Sequence, residues 1–256
     1  MPRELIRELD ERGWVMLPAT LGSGQIACLT RDLEAAYREQ RRLQILNGVG
    51  AGTDGTVHHL PLMGGSFLDL LESDVAGDLL AAFFGGPYIL NTFGGVLNLP
   101  SGLSYVGNVH RDVRTFSGDV PLMAQLLVML DDFTEANGAT YLLGGSHRLS
   151  EKPRDDDFFR GATRAVGPAG SIVVFNSNLW HAAGVNTTTE PRRALTIAFT
   201  KPFIKQQLDY PRALGFDRQD FSPALRQLLG YNARVPASLD DWYQPPEKRM
   251  YRSDQR

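Results

Sequence analysis

The sequence predicts a mainly β protein, a sandwich or barrel, flanked by α-helices in its N-terminal part. Three observations predict it. Short apolar and β-branched runs, broken by Gly, Pro, Asn and Asp, fill the middle of the chain. Amphipathic helical patterns precede these runs. The chain has 256 residues, 43% of them hydrophobic, a length at which an all-β fold often forms one domain.

The first helix and the first strand are predicted close to the N-terminus. Leu5, Ile6 and Leu9 recur at helical spacing, and Gly13 follows as a stop signal. The apolar run 14–17 then predicts a short strand that ends before a proline.

Two further helical stretches and a loop follow. Residues 25–44 repeat apolar side chains at intervals of three and four, which predicts a helix. Residues 47–66 are rich in glycine and have no clear period, so a loop that could move is expected there. Residues 67–84 predict a third helical stretch, closed by the Gly-Gly-Pro at 85–87.

Short apolar strands form the second half of the prediction. They cover 88–99, 122–130, 139–143, 171–175 and 194–200. We therefore expect a single domain over 1–256, with a helical part at about 1–87, a core at about 88–203 and a C-terminal cap at about 204–256.

Charge and composition restrict the partners that we expect. The net charge of -3 and the pI near 6.0 give no basic surface for nucleic acid or for a membrane. No apolar run is long enough to span a bilayer, and the N-terminus is too charged for a secretory signal. Cys28 is the single cysteine, so no intrachain disulfide can form, which suits the cytoplasm.

The motif His110-Arg111-Asp112 is the first sign of chemistry. In a strand, residues two apart point to one face, so the imidazole and the carboxylate would project side by side. His181, which follows an apolar strand, is the third ligand that such a site needs. Two histidines and one carboxylate on one face of a metal favour iron(II), with positions open for oxygen and substrate.

Simpler interpretations exist for each histidine. A lone His-x-Asp pair is most often a hydrogen-bonded surface pair. His147 stands in a turn where packing or a hydrogen bond is expected. His58 and His59 are adjacent, so in an extended chain they face opposite ways and cannot hold one ion together. Loop positions are expected for both, with contact to substrate as the alternative.

Arg192 lies eleven residues after His181, at the start of the next apolar strand. If that strand returned beside the one that carries His181, the guanidinium could reach the same cavity and bind a carboxylate with two hydrogen bonds. A dicarboxylate that chelates the metal at its other end would satisfy both groups. A surface ion pair is the alternative for Arg192, and Arg193 should point to solvent.

Together these pieces resemble the phytanoyl-CoA dioxygenase family of iron(II)- and 2-oxoglutarate-dependent oxygenases. The resemblance covers about three quarters of the chain. It is carried by HRD at 110–112, DDFTEANGATYLLGGSHR at 131–148, AGSIVVFNSNLWHAAGVNTTTEPRRALTI at 169–197, and LDERGWVMLPATL at 9–21.

The resemblance implies a fold and a ligand set. The fold is a double-stranded β-helix, also called a jelly roll or cupin-like fold, with iron at its mouth. His110, Asp112 and His181 match the family's metal ligands, and Arg192 matches its 2-oxoglutarate arginine. Ala183 departs from the family pattern, which often has there a serine that donates to the co-substrate.

Three further co-substrate contacts are expected. Strand alternation places Gln125 on one face, and the resemblance turns that face inward, towards 2-oxoglutarate. Asn98 precedes the HRD segment and is expected to bond the co-substrate. Thr140 is a weaker candidate of the same kind. For Asn98 and Gln125, a structural hydrogen bond is the equal alternative.

The expected reaction is oxidation, most directly hydroxylation, of an aliphatic C–H bond in a small organic molecule of secondary metabolism. Fe(II), 2-oxoglutarate and O2 take part, and succinate and CO2 are co-products. In halogenating relatives the carboxylate ligand is Ala or Gly, and Asp112 therefore favours oxygenation. Desaturation, cyclisation, an oxygen-independent isomerase or hydrolase, and a binding module with a vestigial site are the alternatives.

Several loops are expected to cover the substrate, namely 47–66, 113–119, 151–164 and 203–216. Arg114, Arg154 and Arg160 could meet an anionic substrate, although solvated positions are the default for them. The sequence predicts no oligomeric state.

Overall fold

A computed structural model describes residues 3–100 and 105–252. The helices are α1 Arg3–Arg12, α2 Ser23–Leu46, α3 Ser66–Glu72, α4 Gly77–Phe84, α5 Asp155–Gly161, α6 Tyr210–Leu214, α7 Pro223–Leu228 and α8 Leu239–Trp242. The strands are β1 Trp14–Leu17, β2 Thr56–Val57, β3 Ile89–Asn98, β4 Met123–Met129, β5 Tyr141–Leu142, β6 Thr163–Arg164, β7 Ile172–Asn176, β8 His181–Ala182 and β9 Arg192–Thr200.

The strands form two antiparallel sheets with a cavity between them. The major sheet has the order β1-β7-β4-β9-β3-β2, and the minor sheet has the order β6-β5-β8. The strongest pairing is that of β3 with β9, which runs from Ile89 opposite Thr200 to Asn98 opposite Arg192. The core is therefore β, as predicted, although 35% of the described residues are helical and 20% are in strands.

The major sheet is buried on both faces, and β9 shows how its residues divide. One face of β9 enters the main hydrophobic cluster, against which the N-terminal helices pack, through Leu195, Ile197 and Phe199. The other face lines the cavity through Arg192, Ala194, Thr196 and Ala198. A single strand thus supplies both the core and the floor of the cavity.

The N-terminal elements begin and end close to the predicted residues. Gly13, with φ of +77°, ends α1, because a left-handed residue stops a helix and glycine adopts it without strain. The predicted third helical stretch is wrong in one respect: it is two helices, α3 and α4. Asp74 between them has φ of +48°, which breaks the helical path although the apolar period continues.

Two predicted loops contain regular structure. Residues 47–66 include β2, which pairs with β3 and is too short to show a period of two in the sequence. Residues 151–164 include α5 and β6. The N-terminal part also contributes to the major sheet, since β1 and β2 form its two edges.

We propose that the chain forms a single domain. One hydrophobic cluster, from Leu9 in α1 to Tyr231 after α7, joins the N-terminal helices, the major sheet and the C-terminal segment. Residues 253–256 of the predicted cap lie outside the described residues. Of the helices in the described ranges, none combines the length and the apolar character that crossing a membrane requires.

Packing of α2 on the sheet leads to a stability prediction. Leu33 is fully buried, and a methyl group added to Gly95 of β3 would lie 2.5 Å from its Cδ1 atom. Leu33→Ala should lower the free energy of unfolding by about 2–5 kcal/mol, because it removes buried methyl groups and leaves a cavity.

Chemical denaturation measures this change, and Leu46→Ala is the matched control. Leu46 is on the same helix but 78% exposed, so its substitution should change stability by less than about 0.5 kcal/mol. Equal effects of the two substitutions would contradict the packing described for α2.

Candidate active site

The cavity between the two sheets has a volume of about 630 Å³. Its floor is the inward face of β3, β4 and β9, and its opposite wall includes β8 and the segment around 106–114. His110, Asp112, His181 and Arg192 all line it. The structure therefore brings the predicted ligands and the predicted arginine to one cavity.

His110, Asp112 and His181 form the one cluster of three or more potential metal ligands found within residues 3–100 and 105–252. One ligand atom from each residue lies within 4.8 Å of the others. His110 Nε2 is 3.7 Å from Asp112 Oδ1, and His181 Nε2 is 3.7 Å from Asp112 Oδ2. These separations are too long for hydrogen bonds and leave room for an ion between the three groups.

Backbone hydrogen bonds hold the three residues in place. His110 and His181 form an isolated antiparallel bridge, in which each backbone N–H donates to the carbonyl of the other, at 3.0 and 2.9 Å. The N–H of Asp112 donates to the carbonyl of Ser177 at 3.0 Å. The predicted strand through 110–112 is wrong, since only His110 is bridged and the chain bends after it. The side chains nevertheless converge, because His110 is tied to His181 and the chain after it is tied to Ser177.

The protonation of both imidazoles suits a metal. His110 Nδ1 donates to the carbonyl of Asn108 at 2.7 Å, and His181 Nδ1 donates to that of Leu179 at 2.9 Å. A carbonyl only accepts, so each Nδ1 carries the proton and each Nε2 presents its lone pair to the cluster. Burial, followed by the proximity of His181, lowers the pKa of His110 and favours the neutral form that binds metals.

Gln125 contacts a predicted ligand. Its Nε2 donates to Asp112 Oδ2 at 2.8 Å, and its Oε1 is buried with no hydrogen-bond partner among the described residues. The donated bond fixes one oxygen of the carboxylate and leaves the other free to bind. Gln125 also lines the cavity, so its predicted contact with a co-substrate remains a prediction.

Arg192 enters the cavity from the sheet opposite His181. Strand β9 pairs with β3 and β4, whereas β8 belongs to the minor sheet, so the expectation that the two strands are neighbours is wrong. The guanidinium nevertheless reaches the cavity, because the even-numbered side chains of β9 face the minor sheet.

Arg192 is a buried cation without an anionic partner in the described part of the chain. It is 3% exposed, its Nε and Nη1 have no hydrogen-bond partner there, and its Cζ lies 4.0 Å from the centre of the Phe133 ring. Burial lowers the pKa of Arg192 to about 9, against the opposing effect of Asp131. Such a group gains most when an anion binds next to it.

Arg193 does not point freely to solvent as predicted. Its Nε donates to Glu34 at 2.9 Å, and its Nη1 lies 3.2 Å from Asp131. The two neighbouring arginines therefore differ: Arg193 has carboxylate partners, and Arg192 has none in the described part of the chain.

Asn98 is not among the residues that line the cavity, and its contact with the co-substrate stays a prediction. It lies on the inward face of β3, directly opposite Arg192, but its amide nitrogen donates to the carbonyl of Gly184 at 3.0 Å. This is the structural hydrogen bond that was the alternative for Asn98.

Thr140 and Ala183 both line the cavity. Tyr141 is paired with Ala182, so one step further in the same register Thr140 faces Ala183. A hydroxyl group therefore stands opposite the position where the family serine is missing.

The structure adds a residue that the sequence left in a loop. His58 follows β2 and lines the cavity, whereas His59 turns away and contacts Tyr210. The sequence offered contact with substrate only as the alternative for His58, because the two-residue strand before it shows no period. His147 packs in its turn as expected, with Nε2 3.1 Å from the carbonyl of Asp10.

The predicted covering loops contribute unequally to the cavity. Arg114 lines it from the segment 113–119, and Gln207 lines it from 203–216. Arg160 instead forms an exposed ion pair with Asp157.

Comparison with known proteins gives the family. The model of the phytanoyl-CoA dioxygenase (PhyH) family matches residues 9–194. An uncharacterized protein of Mycobacterium tuberculosis is 45% identical over 148 residues, which are 57% of this chain and 54% of that protein. The iron/alpha-ketoglutarate-dependent dioxygenase ausU of Aspergillus calidoustus is 29% identical over 181 residues, 66% of this chain and 59% of ausU.

The chain thus spans between about half and three fifths of the length of these relatives. The crystal structure of AviO1 from Streptomyces viridochromogenes Tue57 superposes with a TM-score of 0.59 at 23% identity, over 78% of this chain and 95% of AviO1. The predicted jelly-roll core with flanking helices is confirmed by this likeness. The family match confirms the resemblance drawn from the motifs, and the chain belongs to the phytanoyl-CoA dioxygenase (PhyH) family.

Proposed function

We propose that this chain is an Fe(II)- and 2-oxoglutarate-dependent dioxygenase that hydroxylates an aliphatic C–H bond of a small organic molecule of secondary metabolism. One observation carries the proposal. A single cavity holds both a two-histidine, one-carboxylate cluster and a buried arginine with no anionic partner among the described residues. The family membership and the name of ausU support the same reaction class.

His110, Asp112 and His181 would hold the metal, and their donor set fits iron(II). Bound iron would supply the activation of O2 that couples oxidation of 2-oxoglutarate, to succinate and CO2, with insertion of one oxygen atom into the substrate. The protein's part is to orient the ligands. Asn108 and Leu179 fix the two imidazoles through their carbonyls, and Gln125 fixes the carboxylate.

Arg192 would bind the distal carboxylate of 2-oxoglutarate. A guanidinium fork matches a carboxylate with two parallel hydrogen bonds, and the unpartnered nitrogens of Arg192 require such an acceptor. We further propose the Thr140 hydroxyl as the donor that compensates for Ala183, since it faces that position from the neighbouring strand.

Several alternatives use the same residues. Desaturation and cyclisation share the same site and co-substrate. An isomerase or hydrolase that does not use O2 needs no 2-oxoglutarate, so it would leave Arg192 without a function. The buried cation therefore favours the oxygenase. Asp112 occupies the carboxylate position, which favours oxygenation over halogenation. A cytoplasmic location is part of the proposal and is supported by the free thiol of Cys28.

The direct experiment is anaerobic titration of the Fe(II)-loaded protein with 2-oxoglutarate. Chelation by the 2-oxo acid should produce a weak visible charge-transfer band that saturates at one equivalent per chain. A protein that binds Fe(II) but gives no band at any 2-oxoglutarate concentration would refute the co-substrate.

Removal of the carboxylate ligand gives a second prediction. Asp112→Ala should abolish 2-oxoglutarate-dependent succinate formation and weaken Fe(II) binding by at least about 10-fold, since one of three ligands is lost. Succinate release and equilibrium dialysis of the metal measure the two effects. Asp119→Ala, an exposed acid a few residues further on, is the control and should change neither. Turnover that survives in Asp112→Ala would contradict the ligand assignment.

The two neighbouring arginines give a third prediction, about stability without ligands. Arg192→Met should leave the free energy of unfolding unchanged or raise it, by up to about 1 kcal/mol, because it removes a buried charge that lacks a partner. Arg193→Met should lower it by about 1–2 kcal/mol, because Glu34 and Asp131 lose their partner.

Urea denaturation of the metal-free variants at neutral pH measures both changes. Added 2-oxoglutarate and Mn(II) should stabilise Arg193→Met but not Arg192→Met beyond the effect of Mn(II) alone. A large loss of stability in Arg192→Met would mean that the arginine already has a partner in the empty protein.

A further inference from the structure

We propose that His58 determines substrate specificity, and that its imidazole binds a neutral hydroxyl or carbonyl oxygen of an otherwise apolar substrate. The inference rests on the proposed function and names the substrate class of that same cavity. It is carried by the way the chain fixes the backbone of His58 while its side chain has no hydrogen-bond partner within residues 3–100 and 105–252.

The side-chain amide of Gln40 forms two hydrogen bonds with the backbone of His58. Gln40 Nε2 donates to the carbonyl of His58 at 2.7 Å, and the N–H of His58 donates to Gln40 Oε1 at 2.8 Å. This pair of bonds replaces the neighbouring strand that β2 lacks at its free edge. The backbone of His58 is therefore held from α2, outside the sheet.

His59, the residue after His58, has an unfavourable backbone conformation. Its φ of +55° and ψ of 43° are left-handed, which costs a residue with a Cβ about 1–2 kcal/mol. Its Nδ1 lies 3.1 Å from the hydroxyl of Tyr210, a fully buried side chain. The turn sends the two adjacent imidazoles apart, His59 towards Tyr210 and His58 into the cavity.

The imidazole of His58 has no hydrogen-bond partner within the described residues; its one ring contact there is with His59, at 6.4 Å between centroids. The ring is half-buried, and burial lowers the pKa of His58, so the neutral form dominates at neutral pH. A neutral imidazole offers one donor and one acceptor, which matches a hydroxyl or a carbonyl oxygen better than a carboxylate.

His58 lies in a different part of the cavity from Arg192. Val57 pairs with Gly95, and the same register places His58 opposite Gly94, whereas Arg192 pairs with Asn98. Gly94 and Asn98 are four residues apart, which is about 13 Å along β3. His58 also stands at the β2 edge of the major sheet, whereas Phe175, which packs against His181, is on β7 near the other edge.

The cavity lining combines apolar or small residues with neutral polar ones. The apolar or small residues include Gly94, Val96, Met123 and Ala198, and the neutral polar ones include Thr92 and Thr196. Arg111 lines the same cavity, but its guanidinium lies between the rings of Phe116 and Trp180 and donates to the carbonyl of Leu149. Arg114 is exposed at the rim. Apart from Arg192 and the ligand cluster, the charged side chains of the lining are engaged elsewhere or lie at the rim, which favours an uncharged substrate with a largely apolar body.

The test is equilibrium dialysis of the full chain, loaded anaerobically with Fe(II) and 2-oxoglutarate, against a defined panel. The panel consists of ring-containing alcohols and ketones of about ten to twenty carbon atoms, a size suited to this cavity. Each compound is paired with the carboxylate and the hydrocarbon of the same skeleton. Alcohols or ketones should bind more tightly than both of their paired analogues.

Three variants identify the cause. His58→Phe keeps a ring but no hydrogen bond, and should weaken binding of the best alcohol or ketone by about 10- to 100-fold. His58→Gln keeps a donor and an acceptor and should recover most of that loss. Leu62→Ala, on the same segment but outside the cavity wall, is the control and should bind like the unmodified chain.

The outcomes separate this inference from the proposed function. Dialysis measures binding of the panel compounds directly, whereas the charge-transfer band reports binding of 2-oxoglutarate to the iron. Absence of the band therefore refutes the proposed function. The inference is overturned if carboxylates bind best, if no panel member binds, if His58→Phe retains full affinity, or if His58→Gln is as weak as His58→Phe.

Discussion

Two backbone hydrogen bonds between His110 and His181 hold the candidate metal centre together. They join a segment without regular structure to the minor sheet and set the two ring centroids 4.3 Å apart. The bond from Asp112 to the carbonyl of Ser177 adds the carboxylate to the same frame. Because the ligands are fixed through the main chain, the side chains need only small rotations to enclose an ion. Carbonyl acceptors at both Nδ1 atoms then leave the Nε2 lone pairs facing inward.

The second constraint is the alternation of side chains along the major sheet. The odd-numbered residues of β9 enter the main core, and the even-numbered residues enter the cavity. Arg192, on the even face, is therefore 3% exposed, whereas its neighbour Arg193, on the odd face, reaches Glu34 and Asp131. The free energy that burial costs Arg192 is offset when a dicarboxylate binds, which couples co-substrate affinity to the fold itself.

The sequence predicted the parts of the fold that carry a period or a turn signal. The pattern of 25–44 predicted α2 to within two residues at each end, and the apolar runs predicted β3, β4, β7 and β9. The two-residue strands β2 and β8 have no period and were not predicted, whereas β5, of the same length, lies within the predicted apolar run 139–143. The break between α3 and α4 depends on one left-handed residue, Asp74, within a run that remains apolar.

The residues of the candidate site were likewise predicted only in part. Motif order predicted the residues that converge, but sequence could not show that Arg192 arrives from the opposite sheet or that Asn98 bonds Gly184 instead. Those facts depend on pairing between distant strands. His58 depends on a contact with Gln40, eighteen residues away and on another element, which no local pattern records.

The measurement that tests this account most directly is calorimetric titration of the Mn(II)-loaded protein with 2-oxoglutarate and with 2-oxobutyrate, which lacks the distal carboxylate. If the buried guanidinium of Arg192 binds that carboxylate, 2-oxoglutarate should bind about 100-fold more tightly, as two charge-assisted hydrogen bonds provide. The difference should disappear in Arg192→Met. Equal affinities of the two acids for the unmodified protein would contradict the account.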